Sequence, residues 1–364
     1  MVTSYASGRY GRLRQRFSDG VTKWLRRLAV AALCFVAGPA LSCAFDMVKP
    51  ERTAIDWIVD AEKLVLARPD NENPFVYKVN RILVGNDEIP PIEQLVDTPS
   101  RRHLAAVPAD TVLFAHTLES GWQRVAYVNQ SFQDILETTL DHRLSWQNAM
   151  PQSRLDFIVS LQDSPVLTHE TIVIGELDKV PYAELRQLDL RFSDEDLLEN
   201  LWTKTGYQYQ AIQALLLGLS GTPAARAEIH DFINRVADWN WANNLGAFAA
   251  AYIELEGASG VEHLANTMLL DPKQPLDKLE QIVMAMSVHH GIGNPQIMTA
   301  VQNSIDGLVN ERPEAGVIVA RQFSLRSNWS QTAVLEPLMR ARSVALGDLV
   351  TIAAYVARSK EAAN

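Results

Sequence analysis

Three glycines, Gly221, Gly257 and Gly293, stand at intervals of 36 residues, and this period constrains the fold more than any other feature of the chain. Each is followed by residues suited to open a helix, Thr222-Pro223, Ala258-Ser259 and Asn294-Pro295, and a further step from Asn294 reaches Ser330. Glycine tolerates the left-handed backbone just past a helix C-terminus, and Thr, Ser or Asn before Pro suits the next N-terminus. The apolar positions keep the same phase. Ala225, Val261, Ile297 and Ala333 align at one point of a first helix, and Ile233, Leu269 and Ile305 align further along it. Ile212, Phe248, Met284 and Ala320 align in a second helix. Two-helix units whose buried faces recur in register can cover those faces only with their neighbours, so the spacing predicts a stack of antiparallel helix pairs.

These residues resemble the HEAT-like repeats of α-solenoids. The internal Pro, Asp and Arg positions of that family are degenerate here, so armadillo-like or tetratricopeptide-like stacks stay open, although the tetratricopeptide Trp-Leu-Gly-Tyr pattern is not visible. Helical spacing takes over from Pro151, and residues 154 to 220 read as an irregular capping repeat with helices at Arg154–Leu161, Val166–Leu177, Tyr182–Leu188, Asp194–Trp202 and Tyr209–Leu219.

Upstream, alternation at period two replaces helical spacing. A short helix at Thr53–Val59 precedes a strand Lys63–Ala67, the turn Pro69-Asp70-Asn71-Glu72-Asn73-Pro74, and a second strand Phe75–Gly85. Phe75, Tyr77, Val79 and Ile82 are expected on a largely buried face, with a bulge after Val79 where their spacing changes. Thr111–His116 and Trp122–Val128 form a second hairpin about Glu119-Ser120-Gly121, and four such strands predict a small open barrel or curled sheet. Over about residues 60 to 130 this pattern resembles the netrin-like barrels of the OB class, without that family's cysteines. The resemblance implies a fold and no function.

The expected class is therefore α+β: a leader at 1–44, a small β-rich domain at 45–148, and an all-α helix-pair solenoid at 149–364. The leader follows from seven basic residues against one acid in the first 44, an apolar run Leu28–Ala37, Gly38-Pro39, and small residues at Ser42 and Ala44. Cleavage after Ala44 would export the protein to the periplasm or beyond, and the apolar run is too short to span a bilayer. Cys43 offers a competing lipid anchor at the envelope, disfavoured because Leu41 stands one position too late for a lipobox. Cys34 and Cys43 are the chain's two cysteines, so a mature chain beginning at Phe45 has no thiol or disulfide chemistry. No later stretch has the length of a transmembrane helix.

Beyond the leader the chain holds 26 basic against 42 acidic residues, an excess of 16 negative charges with no basic stripe. That argues against nucleic acid as a partner, because phosphate backbones are held by clustered Lys and Arg. Nothing in the histidine spacing matches a local zinc chelate, so no metal or cofactor is expected. His289-His290 sits just before Gly291-Ile292-Gly293 and reads as a helix C-terminal cap that bonds the last carbonyls. Glu228-Ile229-His230-Asp231 reads as a solvated stripe, Ser193-Asp194-Glu195-Asp196 as an N-cap with acids in the first turn, and Gly218-Leu219-Ser220-Gly221 lacks the second glycine of a nucleophile elbow. No catalytic residue is assigned.

One segment stands out. Trp239, Asn240, Trp241, Asn243 and Asn244 lie between the two helices of one repeat, where solenoid loops often serve recognition. Two indoles among three amides fit a binding surface or a carbohydrate-stacking platform. The expectation favours the plainer alternative, in which both indoles wedge beneath the turn as core. The expected function is an exported binding or scaffolding protein whose partner is a protein. The alternative is an envelope hydrolase acting on glycan or peptidoglycan through Asp and Glu acid–base residues.

Overall fold

The computed structural model describes residues 52–363, apart from residues 87, 148, 149, 163, 165 and 341–343. The expected leader, its cleavage site and Cys43 lie outside the described residues.

The chain is α+β. A short helix α1 (Ala54–Asp60) is the first element of the described residues, capped by Thr53, whose side chain accepts from the Asp56 amide while Asp56 accepts from the Thr53 amide. Strands β1 (Lys63–Pro69) and β2 (Tyr77–Val84) form the expected antiparallel hairpin. Leu66 pairs with Arg81 and Ala67 with Val79, so Asn80 is the extra residue of the bulge expected after Val79. Helix α2 (Thr98–Ala106) then leads to β3 (Thr111–Thr117) and β4 (Gly121–Val128). The sheet order is β2-β1-β3-β4, open at β2 and β4. Phe75 departs from expectation: it precedes β2, is exposed, and lies under the Arg101 guanidinium, 4.3 Å from ring centroid.

Alternation sorts the sheet's two faces. Val65, Ala67, Val112 and Phe114 pack with Tyr77, Trp122 and Leu104 of α2. Leu64, Leu66, Leu113 and Ala115 face the other way and join a hydrophobic core that continues through the helices as far as Val356. Helix α3 (Gln130–Trp146) packs on α1, with Asn129 capping it through the Phe132 amide.

No strand occurs among the described residues beyond 128. Helices α4 (Gln152–Leu161), α5 (Leu167–Leu177), α6 (Tyr182–Leu185) and α7 (Asp194–Leu201) follow the irregular spacing read from sequence. Arg154 of α4, almost fully buried, donates to Asp56 of α1 at 2.7 Å and to Glu176 of α5 at 2.9 Å; Lys179 also pairs with both carboxylates. These charges join the start of the described chain to its helical part.

Next come α8 (Gln210–Ser220), α9 (Pro223–Val236), α10 (Leu245–Glu256), α11 (Ala258–Leu264, continued as a π-helical turn to Leu269), α12 (Leu276–Ile292) and α13 (Pro295–Glu311). Gly221, Gly257 and Gly293 each cap the C-terminus of a second helix with positive φ, of 66°, 62° and 93°. Thr222 and Asn294 cap the following helices through side-chain oxygens, with Pro inside the first turn. Helix α11 needs no linker, because Gly257 ends α10 and starts α11. The second helices pack in series, α8 on α10, α10 on α12, and α12 on α14 (Gly316–Ser324).

The period fades at its end. Ser330 is not an N-cap: α15 (Thr332–Leu335) starts from Gln331 without a side-chain cap and gives way to a 3-10 turn. Pro337 lacks the amide that would extend the α-helical ladder, and the chain passes through it as that 3-10 turn. Ala333 is accordingly exposed, and Met284 is only half buried, whereas Ile212, Phe248 and Ala320 are fully buried. Helix α16 (Leu346–Ala362) closes the described chain against α14.

Candidate functional site

Helix α9 ends at Val236, whose carbonyl accepts from the Trp239 amide at 3.0 Å. The side chain of Lys278, from the first turn of α12, adds donors to this turn. Its ammonium donates to the carbonyls of Val236 at 2.9 Å, Ala237 at 2.7 Å and Trp239 at 2.6 Å. Lys278 is fully buried, and burial lowers its pKa from the ordinary lysine value against the opposing pull of Asp238 and Asp271. Gln274 adds a donor to the Ala237 carbonyl at 2.9 Å. Gln281 brackets the other end, donating to the Ala242 carbonyl and accepting from the Gly246 amide.

Residues 237–244 are thus held by three long polar side chains of one neighbouring segment. Asn244 completes the frame in the left-handed region at φ 54°, its amide donating to Gln210 Oε1 at 3.0 Å. Asn is among the few residues that adopt this backbone at modest cost. Ala242 points into the core, and its neighbours face out.

The indoles do not wedge beneath the turn. Trp239 is 50% exposed and Trp241 45%, contrary to the expectation that both are core. The side chains buried against the turn are instead those of Lys278 and Ala242. Trp241 Nε1 donates to Asn243 Oδ1 at 3.0 Å, and the Asn243 amide donates to the hydroxyl of Tyr207, itself half exposed. Asn240 is exposed on the same loop. Of the five residues singled out from sequence, four form an exposed aromatic and amide surface, and Asn244 serves its backbone. Sequence reasoning missed Tyr207 and Lys278. A lone lysine followed at once by Leu279, Ile282 and Val283 was the available signal for the second.

The histidine pair is not a helix cap. His289 is buried on α12 and bonds across to the carbonyl of Ala250 on α10 through Nε2 at 2.8 Å. Its Nδ1 lies 3.9 Å from Glu254, whose carboxylate accepts from Tyr182 at 3.1 Å and Arg186 at 2.9 Å. Burial lowers the His289 pKa to about 4 although Glu254 pulls it upward, so its ring is neutral at pH 7. His290 pairs instead with the Asn328 amide at 2.9 Å. The Glu228–Asp231 stripe is less solvated than expected, since Glu228 accepts from Trp202 and His230 pairs with Glu256. Among the described residues no three His, Cys, Asp or Glu side chains gather as a metal site.

A second feature is a depression of about 320 Å³ lined by Glu170, Asp196, Arg191 and Ser193, among others. Burial and the Asp196 carboxylate both raise the Glu170 pKa. Ser193 caps α7 through the Asp196 amide, as expected. No helix among the described residues is long and apolar enough to cross a membrane. In comparisons with known proteins the chain matches no family model, no curated protein and no solved structure.

Proposed function

We propose that this chain is an exported binding or scaffolding protein of the cell envelope, built as a HEAT-like helix-pair solenoid and making contact through the loop Asp238–Asn244. The serial packing of α8, α10, α12 and α14 and the 36-residue glycine period support the solenoid. The observation that carries the function is Trp239 and Trp241 standing half exposed on a loop whose backbone Lys278 clamps. Indoles are costly to leave in water, and a loop ordered in advance loses little entropy when it binds. The leader supports export. Mass spectrometry of the exported protein tests that part: a first residue near Phe45 agrees, and an intact leader or an acylated Cys43 contradicts it. For the contact, immobilised mature protein is incubated with envelope extract of the producing cells. Retention of a specific component by wild type and its loss in the Trp239→Ala, Trp241→Ala double variant support the loop; equal retention by both removes it.

A second reading, an envelope hydrolase, rests on Glu170. A carboxylic acid held above its ordinary pKa beside a second carboxylate is the arrangement of a general acid and its partner. Release of reducing ends from peptidoglycan by wild type, abolished in both Glu170→Gln and Asp196→Asn, would favour it over the binding module.

A further inference from the structure

The ligand of the Trp239–Asn243 surface can be narrowed by its chemistry, on the premise that this surface is the contact site. We propose that it binds neutral or N-acetylated glycan through stacking of pyranose rings on Trp239 and Trp241. A pyranose presents an apolar C–H face and a rim of hydroxyls, and it is recognised by a flat aromatic face flanked by groups that both donate and accept. The loop supplies both. Its indoles are 50% and 45% exposed, and exposed Asn240 and Asn243 flank Trp241. The chain of bonds from Trp241 Nε1 through Asn243 to Tyr207 fixes the indole that must stack.

Three other ligand classes fit less well. Nucleic-acid bases also stack, but they arrive with phosphates that need cations, and residues 238–244 contain no Lys or Arg and one acid, Asp238. The same acid and the acidic body disfavour polyanionic glycans. A protein hot spot places its aromatic anchors at the centre of a surface that excludes water. Here Asp238, Asn240 and Asn243 interrupt the indoles with solvated polar groups. The rigid frame matters for a sugar ligand, whose individual contacts are weak and cannot bear the cost of ordering a loop.

Isothermal titration calorimetry of the mature protein with chitohexaose, cellohexaose and mannohexaose tests the assignment. At least one of them should bind saturably. Affinity should fall by about tenfold or more in Trp239→Ala and in Trp241→Ala, since each variant removes one of the two stacking rings. Asn243→Ala, which frees the Trp241 indole, should weaken binding by a smaller factor. Circular dichroism and melting temperature should be unchanged in the tryptophan variants, which separates lost binding from lost folding. Absence of heat with every sugar at about 10 mM overturns the proposal, as does sugar binding that both tryptophan variants retain. If all sugars fail while a protein from envelope extract is still captured in a Trp241-dependent way, the glycan assignment falls and the contact loop stands. If neither is captured, both fall.

Discussion

The ammonium of Lys278 lies 2.6 Å from the carbonyl oxygen of Trp239, although 39 residues separate them in sequence. One buried side chain on α12 thereby caps α9 and sets the path of the loop that carries the exposed indoles. Lys278→Met keeps the stem and removes the charged donor: the Trp239 carbonyl loses its partner, while Val236 keeps the Trp239 amide and Ala237 keeps Gln274. The expected cost is about 2 to 4 kcal/mol, from the desolvated carbonyl and the lost bonds. Urea denaturation measures it. Hydrogen exchange over residues 237–244 should accelerate in the variant, and an unchanged midpoint with unchanged exchange would show that Lys278 does not hold the loop.

Phe248 is the second test of packing. It is fully buried on α10, stacked on Phe232 with ring centroids 3.7 Å apart and on Trp202 at 5.8 Å. Phe248→Ala should destabilise by about 3 to 5 kcal/mol through lost burial and the cavity left behind. Glu262→Ala, on the exposed side of α11, should stay within about 0.5 kcal/mol of wild type. Comparable losses in the two variants would contradict the packing described.

Gly218 sits where α8 meets α10, and a Cβ built there would stand 2.7 Å from the Ala251 Cα. Backbone cannot yield as a flexible side chain does, so the helices must separate. Gly218→Ala should cost about 1 to 3 kcal/mol by overpacking, despite the better helix propensity of alanine. Thermal unfolding compared with Gly291→Ala, where a Cβ meets nothing within 4 Å, decides the point. A Gly218→Ala protein as stable as wild type would mean that the close approach is absent in solution.

These residues mark where sequence reasoning reaches and where it stops. Gly221, Gly257 and Gly293 were legible because a helix C-terminus is a local event that glycine alone reports. The bulge at Asn80 was legible for the same reason, as a change of spacing within one strand. His289 was misread because its partner, the Ala250 carbonyl, belongs to the adjacent helix and leaves no trace near position 289. The burial of Trp239 and Trp241 was misjudged because the side chain buried against their loop is that of Lys278, a residue from the next helix pair. Ser330 keeps the period but caps no helix, since the short helix there starts from Gln331. The period therefore located the helices, and the exposed surface came from contacts between them.

The buried histidine yields a pH dependence with a definite sign. His289 titrates at about 4 in the folded chain because burial disfavours the imidazolium, with Arg186 adding to the effect and Glu254 and the Ala250 carbonyl opposing it. Tyr182, whose own pKa is pushed up by burial and by Glu254, stays neutral throughout and packs edge-on against the imidazole. An unfolded histidine titrates near 6.5, so between pH 6.5 and 4 the unfolded chain takes up a proton that the folded chain refuses. Folding stability must then fall as the pH drops through that window, by about 3 kcal/mol in all from this group. Asp56 does not confuse the measurement: despite burial, Lys179 and Arg154 hold its pKa below the ordinary carboxylate value, and it is common to both proteins compared. His290, whose pKa burial also lowers, is common to both proteins compared. His289→Gln retains a donor for the Ala250 carbonyl and removes the titration. From about pH 7.5 to about pH 4.5 the unfolding free energy should fall by about 2.5 kcal/mol more in wild type than in His289→Gln. Equal losses in the two proteins would mean that His289 titrates in the folded chain as it does in the unfolded one, and a smaller loss in wild type would mean that the folded chain holds it protonated beside Glu254; either outcome contradicts the neutral buried ring described between α10 and α12.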